Sequence, residues 1–242
     1  WMKINDRDQV QQLHQAIKGS ARDDQKLCMF KVNAPLAGES HEIGRARAFT
    51  PGWLENESIW MHMAFKYLLE LQKAGLHEDF FEALQVHLPA FKDQASYGRS
   101  LLENSSFIVS SVHPDPALHG VGFVARLSGS TAEFLSMWVH MTAGPQPFRL
   151  EEGQLTLALK PALPGWLFKA DGSFTFRFLG SCDVTYHNPD RLNTYAEGVT
   201  INAMELHGKG ETLRIEGVEI KGALADRVRK GEFTHMDCYL RL

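Results

Sequence analysis

The chain has 242 residues, of which 44% are hydrophobic and 22% charged, and a formal net charge of -4. This is ample material for a packed core in one large or two small domains, and it leaves no basic footprint for nucleic acid or an anionic membrane. No apolar run approaches the roughly 20 residues of a membrane span, and the first residues lack the order of a signal peptide, so a cytoplasmic protein is expected.

In chain order, Val10, Leu13 and Ile17 recur on one helical face, and the run 58–74 places Ile59, Met63, Leu68 and Leu71 among good helix formers. Gly75 suits the end of that helix. Phe80, Phe81 and Leu84 mark a further helix over 79–87, the stretch 97–111 stays open between helix and strand, and Phe134, Leu135, Trp138 and Met141 mark a helix over 131–142. Beyond Ala143-Gly-Pro-Gln-Pro147 the period falls to two, as in Gln154-Leu-Thr-Leu-Ala-Leu159 and Ser173-Phe-Thr-Phe-Arg-Phe-Leu179, with an Asp171-Gly172 turn before the second. Short strand candidates follow at 182–187, 199–204, 212–220 and 236–240, a density that suits a sandwich or jelly roll. The expected domains are therefore 1–145, helical, and 146–242, β-rich.

Cys28, Cys182 and Cys238 stand far apart without CxxC spacing, which suggests neither a disulfide framework nor a zinc site. His113-Pro-Asp-Pro-Ala-Leu-His119 holds possible ligands, but its two prolines preclude the regular helix that would face them together. A loop is expected there, and no metal or organic cofactor anywhere.

The densest chemistry lies in Thr50-Pro-Gly-Trp-Leu-Glu-Asn-Glu-Ser-Ile-Trp-Met-His62, where Glu55 and His62 stand seven residues apart, two helical turns, across an expected helix start. A second cluster, Arg126-Leu-Ser-Gly-Ser-Thr-Ala132, opens another helix, and helix N-termini favour anions. Each feature also has a plain structural reading. His62 sits among Met61, Met63 and Phe65 and suits a core histidine; Glu55-Asn56 suits a cap for the helix near Ser58; Ser128-Gly-Ser-Thr131 suits ordinary helix initiation. Arg126 suits a structural pair with Glu133, and Trp53 and Trp60 suit packing.

Taken in order, Pro51-Gly-Trp-Leu-Glu55-Asn56, Ile59-Trp60, His62 and Arg126-Leu-Ser128-Gly129-Ser130-Thr-Ala resemble the inverting glycoside phosphorylases of glycoside hydrolase family 94, the cellobiose and chitobiose phosphorylases. There the first segment reads Pro-Gly-x-x-Glu-Asn-Gly-Gly-Ile-Phe-x-His and the second Leu-Thr-Gly-Thr-Ala. Glu103 falls where the family has Glu-Pro-Tyr, and Pro161-Ala-Leu-Pro-Gly-Trp166 resembles part of its terminal β domain. The resemblance implies an α+β multidomain protein: the C-terminal part of an (α/α)6 barrel followed by a β-sandwich or jelly-roll-like domain.

The chemistry so implied is reversible phosphorolysis of a β-linked gluco-oligosaccharide or disaccharide, a glycosyltransferase reaction with inorganic phosphate as co-substrate. By match to the motifs, His62, Ser128 and Gly129 bind phosphate and Glu55 binds the sugar. The family's general acid and phosphate-binding arginine have no counterpart in this chain, so no catalytic residue is expected in it and the preceding part of the same enzyme is an expected partner. A homodimer is a further expectation from the family. Glu57-Ser58 replaces two family glycines and is expected to bring bulk or charge toward the sugar. A hydrolase on the same barrel, and a non-catalytic carbohydrate-binding or assembly module, are the alternative readings.

Overall fold

The computed structural model describes residues 6–124 and 128–241. The chain is α+β and packs as two compact units, Trp1–Met137 and Trp138–Leu242. The division falls inside a helix rather than at 143–147, where the change of periodicity points.

The first unit opens with α1 (Arg7–Ile17), whose Asp6 cap accepts a hydrogen bond from the Gln9 amide. Its expected apolar face is only partly covered: Leu13 is 49% exposed, while His14 is buried. Polar partners account for the inversion, because the His14 ring meets the Tyr67 hydroxyl at 2.5 Å and Asp79 at 3.1 Å. A two-residue ladder joins β1 (Asp23–Asp24) to β2 (Met29–Phe30). Then β3 (Ile59–Trp60) runs directly into α2 (Met61–Lys73), followed by α3 (His77–His87) and α4 (Gln94–Tyr97). Gly75 and Gly98 take the left-handed conformation just past α2 and α4, as glycines at helix ends do. Leu68, Leu71, Phe80, Phe81 and Leu84 are all buried, in agreement with their helical spacing.

The ambiguous stretch 97–111 divides between the two secondary-structure types. Its start belongs to α4, and Phe107–Ile108 form β4, which pairs with β3 and with β5 (Gly122–Phe123) in a three-stranded sheet. This sheet explains why α2 begins later than its sequence pattern. Residues 59 and 60 pair with Ile108 and Phe107, and the Met61 amide donates to the Ser106 carbonyl at 3.1 Å, so strand contacts supply what a side-chain cap would. Helix α5 (Ser128–Thr142) follows.

The second unit carries β6 (Phe148–Glu151), β7 (Gln154–Leu157), β8 (Ser173–Phe178), β9 (Cys182–His187), β10 (Thr200–Gly208), β11 (Glu211–Glu216), β12 (Ile220–Lys221), α6 (Gly222–Arg229) and β13 (His235–Arg241). One sheet has the order β11-β10-β13-β9-β8, antiparallel except for the parallel β13–β9 pair; the other is β12-β7-β6. Alternation buries Val184, Tyr186, Met204, Leu206, Met236 and Cys238 on one face of the larger sheet. Phe148 of β6 stacks on Phe178 of β8 with centroids 5.9 Å apart, joining the two sheets. Burial also raises the thiols of Cys182, to about 11, and of Cys238, and all three cysteines are free, so the buried pair acts as small apolar packing. Among the described residues no helix is long and apolar enough to cross a membrane.

Candidate functional site

His62 is the second residue of α2, at the end where helix amides lack intrahelical acceptors. Its side chain is 33% exposed, with Nε2 3.5 Å from Glu133 Oε1. The imidazole lies against Gly129: a Cβ built on that glycine would stand 2.5 Å from Nδ1, 2.6 Å from Cε1 and 2.8 Å from Cγ. Only a residue without a side chain admits the ring there. Thus α2 and α5 approach at their first described turns, and two motifs 67 positions apart, His62 and Gly129, share one place.

Gly129→Ala is accordingly expected to push the imidazole aside while the protein stays folded, since position 129 is helical and alanine favours a helix. A changed His62 ring environment in the NMR spectrum, with an unchanged far-UV spectrum, checks this. An unmoved ring would mean that α5 shifts instead.

Glu133, expected to hold Arg126, faces His62, one helical turn beyond Gly129. Arg126 lies outside the described residues, as does the side chain of Ser128. Ser130 is fully buried and its Oγ has no hydrogen-bond partner among the described residues. That i, i+4 relation between Gly129 and Glu133 is the signal in the sequence that would have brought Glu133 to notice.

Glu55 sits in the turn before β3 and caps no helix. The N-cap of α2 is Trp60, and Asn56 instead donates to the Phe49 carbonyl at 2.7 Å. One Glu55 oxygen accepts from Arg45 at 2.6 Å, whereas Oε2 is buried and accepts no hydrogen bond among the described residues. The turn is closed around the Leu54 carbonyl, which accepts from Ser58 Oγ and, at 2.8 Å, from Trp60 Nε1. Leu54 and Glu57 take left-handed backbone angles, φ 48 and 59, and Gly52 approaches His113 so closely that a Cβ would lie 2.8 Å from its amide nitrogen.

Glu57, expected to bring bulk or charge toward a sugar, has a buried side chain. Its carboxylate is buried 2.8 Å from Lys31 Nζ, and its amide donates to Asn33 Oδ1 at 2.8 Å. The Glu57 side chain therefore anchors the turn from behind. Asn33 also donates to the Glu55 carbonyl, at 2.5 Å, so the segment around residues 31–33 holds both glutamates by their backbone.

Trp53 packs on Phe107 and Phe123 at 5.1 and 4.6 Å, and Trp60 is bound through its indole to Leu54, both as packing residues. Glu103 is paired with Arg99 at 3.0 Å and borders a cavity of about 430 Å³ lined also by Leu88, Leu101, Asn104, Thr131 and Phe134. His113 and His119 are held by structural contacts: the His119 ring meets the His113 carbonyl at 2.8 Å and Lys26 Nζ at 2.9 Å, and Asp115 donates its amide to His113 Nδ1. Among the described residues no group of three or more histidine, cysteine or acidic side chains is set for a metal ion.

The arrangement can offer an imidazole at the start of α2 to an anion, and the partly exposed Glu55 carboxylate to a hydroxyl donor. No protein-family model and no curated protein sequence matches the chain.

Proposed function

We propose that this chain is the C-terminal part of an inverting glycoside phosphorylase of the family 94 type, with its helical unit contributing to an (α/α)6 barrel and its β-rich unit forming a sandwich-like domain. The observation that carries the reading is the packing of His62 on Gly129. The two residues that the resemblance assigns to phosphate come from distant motifs and meet at the starts of two helices. The Phe148–Phe178 stack supports a sandwich, and Leu102 and Leu135, 98% and 57% exposed on the helical unit, suit surfaces that further barrel helices cover.

In the reaction a phosphate oxygen bonds to the anomeric carbon as the glycosidic C–O bond breaks, and the departing oxygen takes a proton from a carboxylic acid. His62, Gly129 and Ser128 hold the phosphate near the positive helix ends. Glu133 orients the His62 ring through Nε2. Glu55 accepts hydroxyl hydrogen bonds from the sugar through the more open carboxylate oxygen, the one that meets the exposed Arg45 side chain. The reading leaves the general acid to polypeptide other than these residues, and it makes phosphate and a β-linked oligosaccharide or disaccharide the substrates.

The test is phosphate release from α-glucose 1-phosphate with a panel of sugar acceptors, using the longest native polypeptide that contains the chain. Acceptor-dependent release is expected, and His62→Ala should raise the KM for phosphate in the phosphorolytic direction far more than that for sugar. Hydrolysis that ignores phosphate would favour the hydrolase, and sugar binding without turnover the binding module. Unchanged phosphate saturation in His62→Ala would remove His62 from the site.

A further inference from the structure

We propose that the outward face of the five-stranded sheet binds one divalent transition-metal ion of the imidazole-preferring kind, represented by Zn²⁺ or Ni²⁺, through His187, His207 and His235 with Asp237. This proposal is independent of the phosphorylase reading. Strand alternation places these four side chains on the face opposite Val184, Leu206, Met236 and Cys238, which form the buried side. His207 on β10 lies directly across from His235 on β13, with ring centroids 5.7 Å apart. Asp237 follows two residues later on β13, and His187 reaches it from β9. Asp237 Oδ1 stands 2.6 Å from His187 Nε2 and 3.2 Å from His235 Nε2, and its Oδ2 stands 3.0 Å from His207 Nε2. Three imidazole nitrogens from three adjacent strands thus gather on one carboxylate.

The Asp237 carboxylate, 17% exposed, still meets water and does not need three imidazoles, since partly exposed ion pairs contribute little. Imidazoles with a carboxylate are, however, the donor set that zinc and nickel prefer over magnesium or calcium. Two of the rings also have outer contacts of the kind that support metal ligands. Thr212 Oγ1 lies 3.1 Å from His207 Nδ1 and can accept its proton once Nε2 leaves Asp237 for the ion, and Tyr239 stacks on His187 with centroids 4.9 Å apart. As they stand the donors are hydrogen-bonded to one another and do not form a preformed cage, so the ion enters as the imidazoles turn inward. Their exposure, 34% to 37%, leaves room for that rotation.

The experiment is calorimetric titration of the tag-free, chelator-treated chain with zinc chloride and with nickel chloride. One saturable equivalent is expected. The His207→Ala/His235→Ala double variant should lose affinity by more than about tenfold, and His113→Ala/His119→Ala should bind as the parent does. Far-UV spectra and thermal midpoints establish that the variants are folded. If the double variant fails to fold, paramagnetic Ni²⁺ added to the parent must broaden the imidazole resonances of His187, His207 and His235 before those of other histidines. Absence of saturable binding, parent-like affinity in the folded double variant, or earlier broadening of other histidines would each overturn the proposal.

Discussion

Replacing Lys31 with methionine is expected to destabilise the chain by about 3–5 kcal/mol, because it leaves the Glu57 carboxylate buried without its cation. The Lys31 and Glu57 side chains are only 6% and 7% exposed and meet at 2.8 Å. Their value lies less in the attraction itself than in the desolvation that each would suffer alone. Lys31→Met paired with Glu57→Gly should therefore recover most of the loss: it removes both charges and puts glycine where the backbone has φ 59, a conformation that costs an L-residue about 1–2 kcal/mol. Urea midpoints at constant m-value measure both effects. A single Lys31→Met loss below about 1 kcal/mol would mean that water reaches the pair. The turn that this pair anchors presents Glu55 on one side and leads through β3 to His62 on the other. On the proposed function, Lys31→Met should weaken sugar and phosphate use together, unlike His62→Ala.

The strands at 173–178 and 182–187 were legible because period-two alternation reports a sheet with one buried face, and the buried positions of α2 and α3 were legible for the analogous helical reason. Short β6 and α6 escaped, since Phe148–Glu151 and Gly222–Arg229 are too brief and too polar to set a period. The late start of α2 was illegible as well: it depends on pairing with Phe107–Ile108, almost 50 positions away. In the site, the motif order named His62 and Gly129, but a requirement for glycine came only from the ring lying on its Cα. Nothing local tells that Glu57 turns inward, because its partner Lys31 stands 26 positions earlier. The histidine cluster was hidden for the same reason. His187, His207 and His235 are spaced 20 and 28 residues apart, and strand register alone makes them neighbours.

Stability should fall as the pH is lowered from about 6.5 to about 4, and His87 is the principal cause. His87 is completely buried, donates from Nδ1 to the Ala83 carbonyl at 2.8 Å and accepts the Phe30 amide at Nε2 at 3.3 Å. A second ring proton would point at that amide donor, so the pocket is made for the neutral ring. Burial, with the Lys92 charge adding to it and the Ala83 bond opposing it, pushes its pKa down from 6.5 to about 4. The sign follows from proton uptake: between those values the unfolded chain binds a proton that the folded chain refuses, so acid favours unfolding. That difference corresponds to about 3 kcal/mol, fully present above 6.5 and lost by about pH 4. Burial lowers His14 and His77 as well, which steepens the same slope. His87→Gln keeps one donor and one acceptor but has no proton to gain, so its unfolding free energy should be flatter over this range than that of the parent, whatever its absolute stability. Chemical denaturation at several pH values compares the two slopes directly. If they coincide, the acid sensitivity belongs to other groups and the His87 pocket accommodates the charged ring.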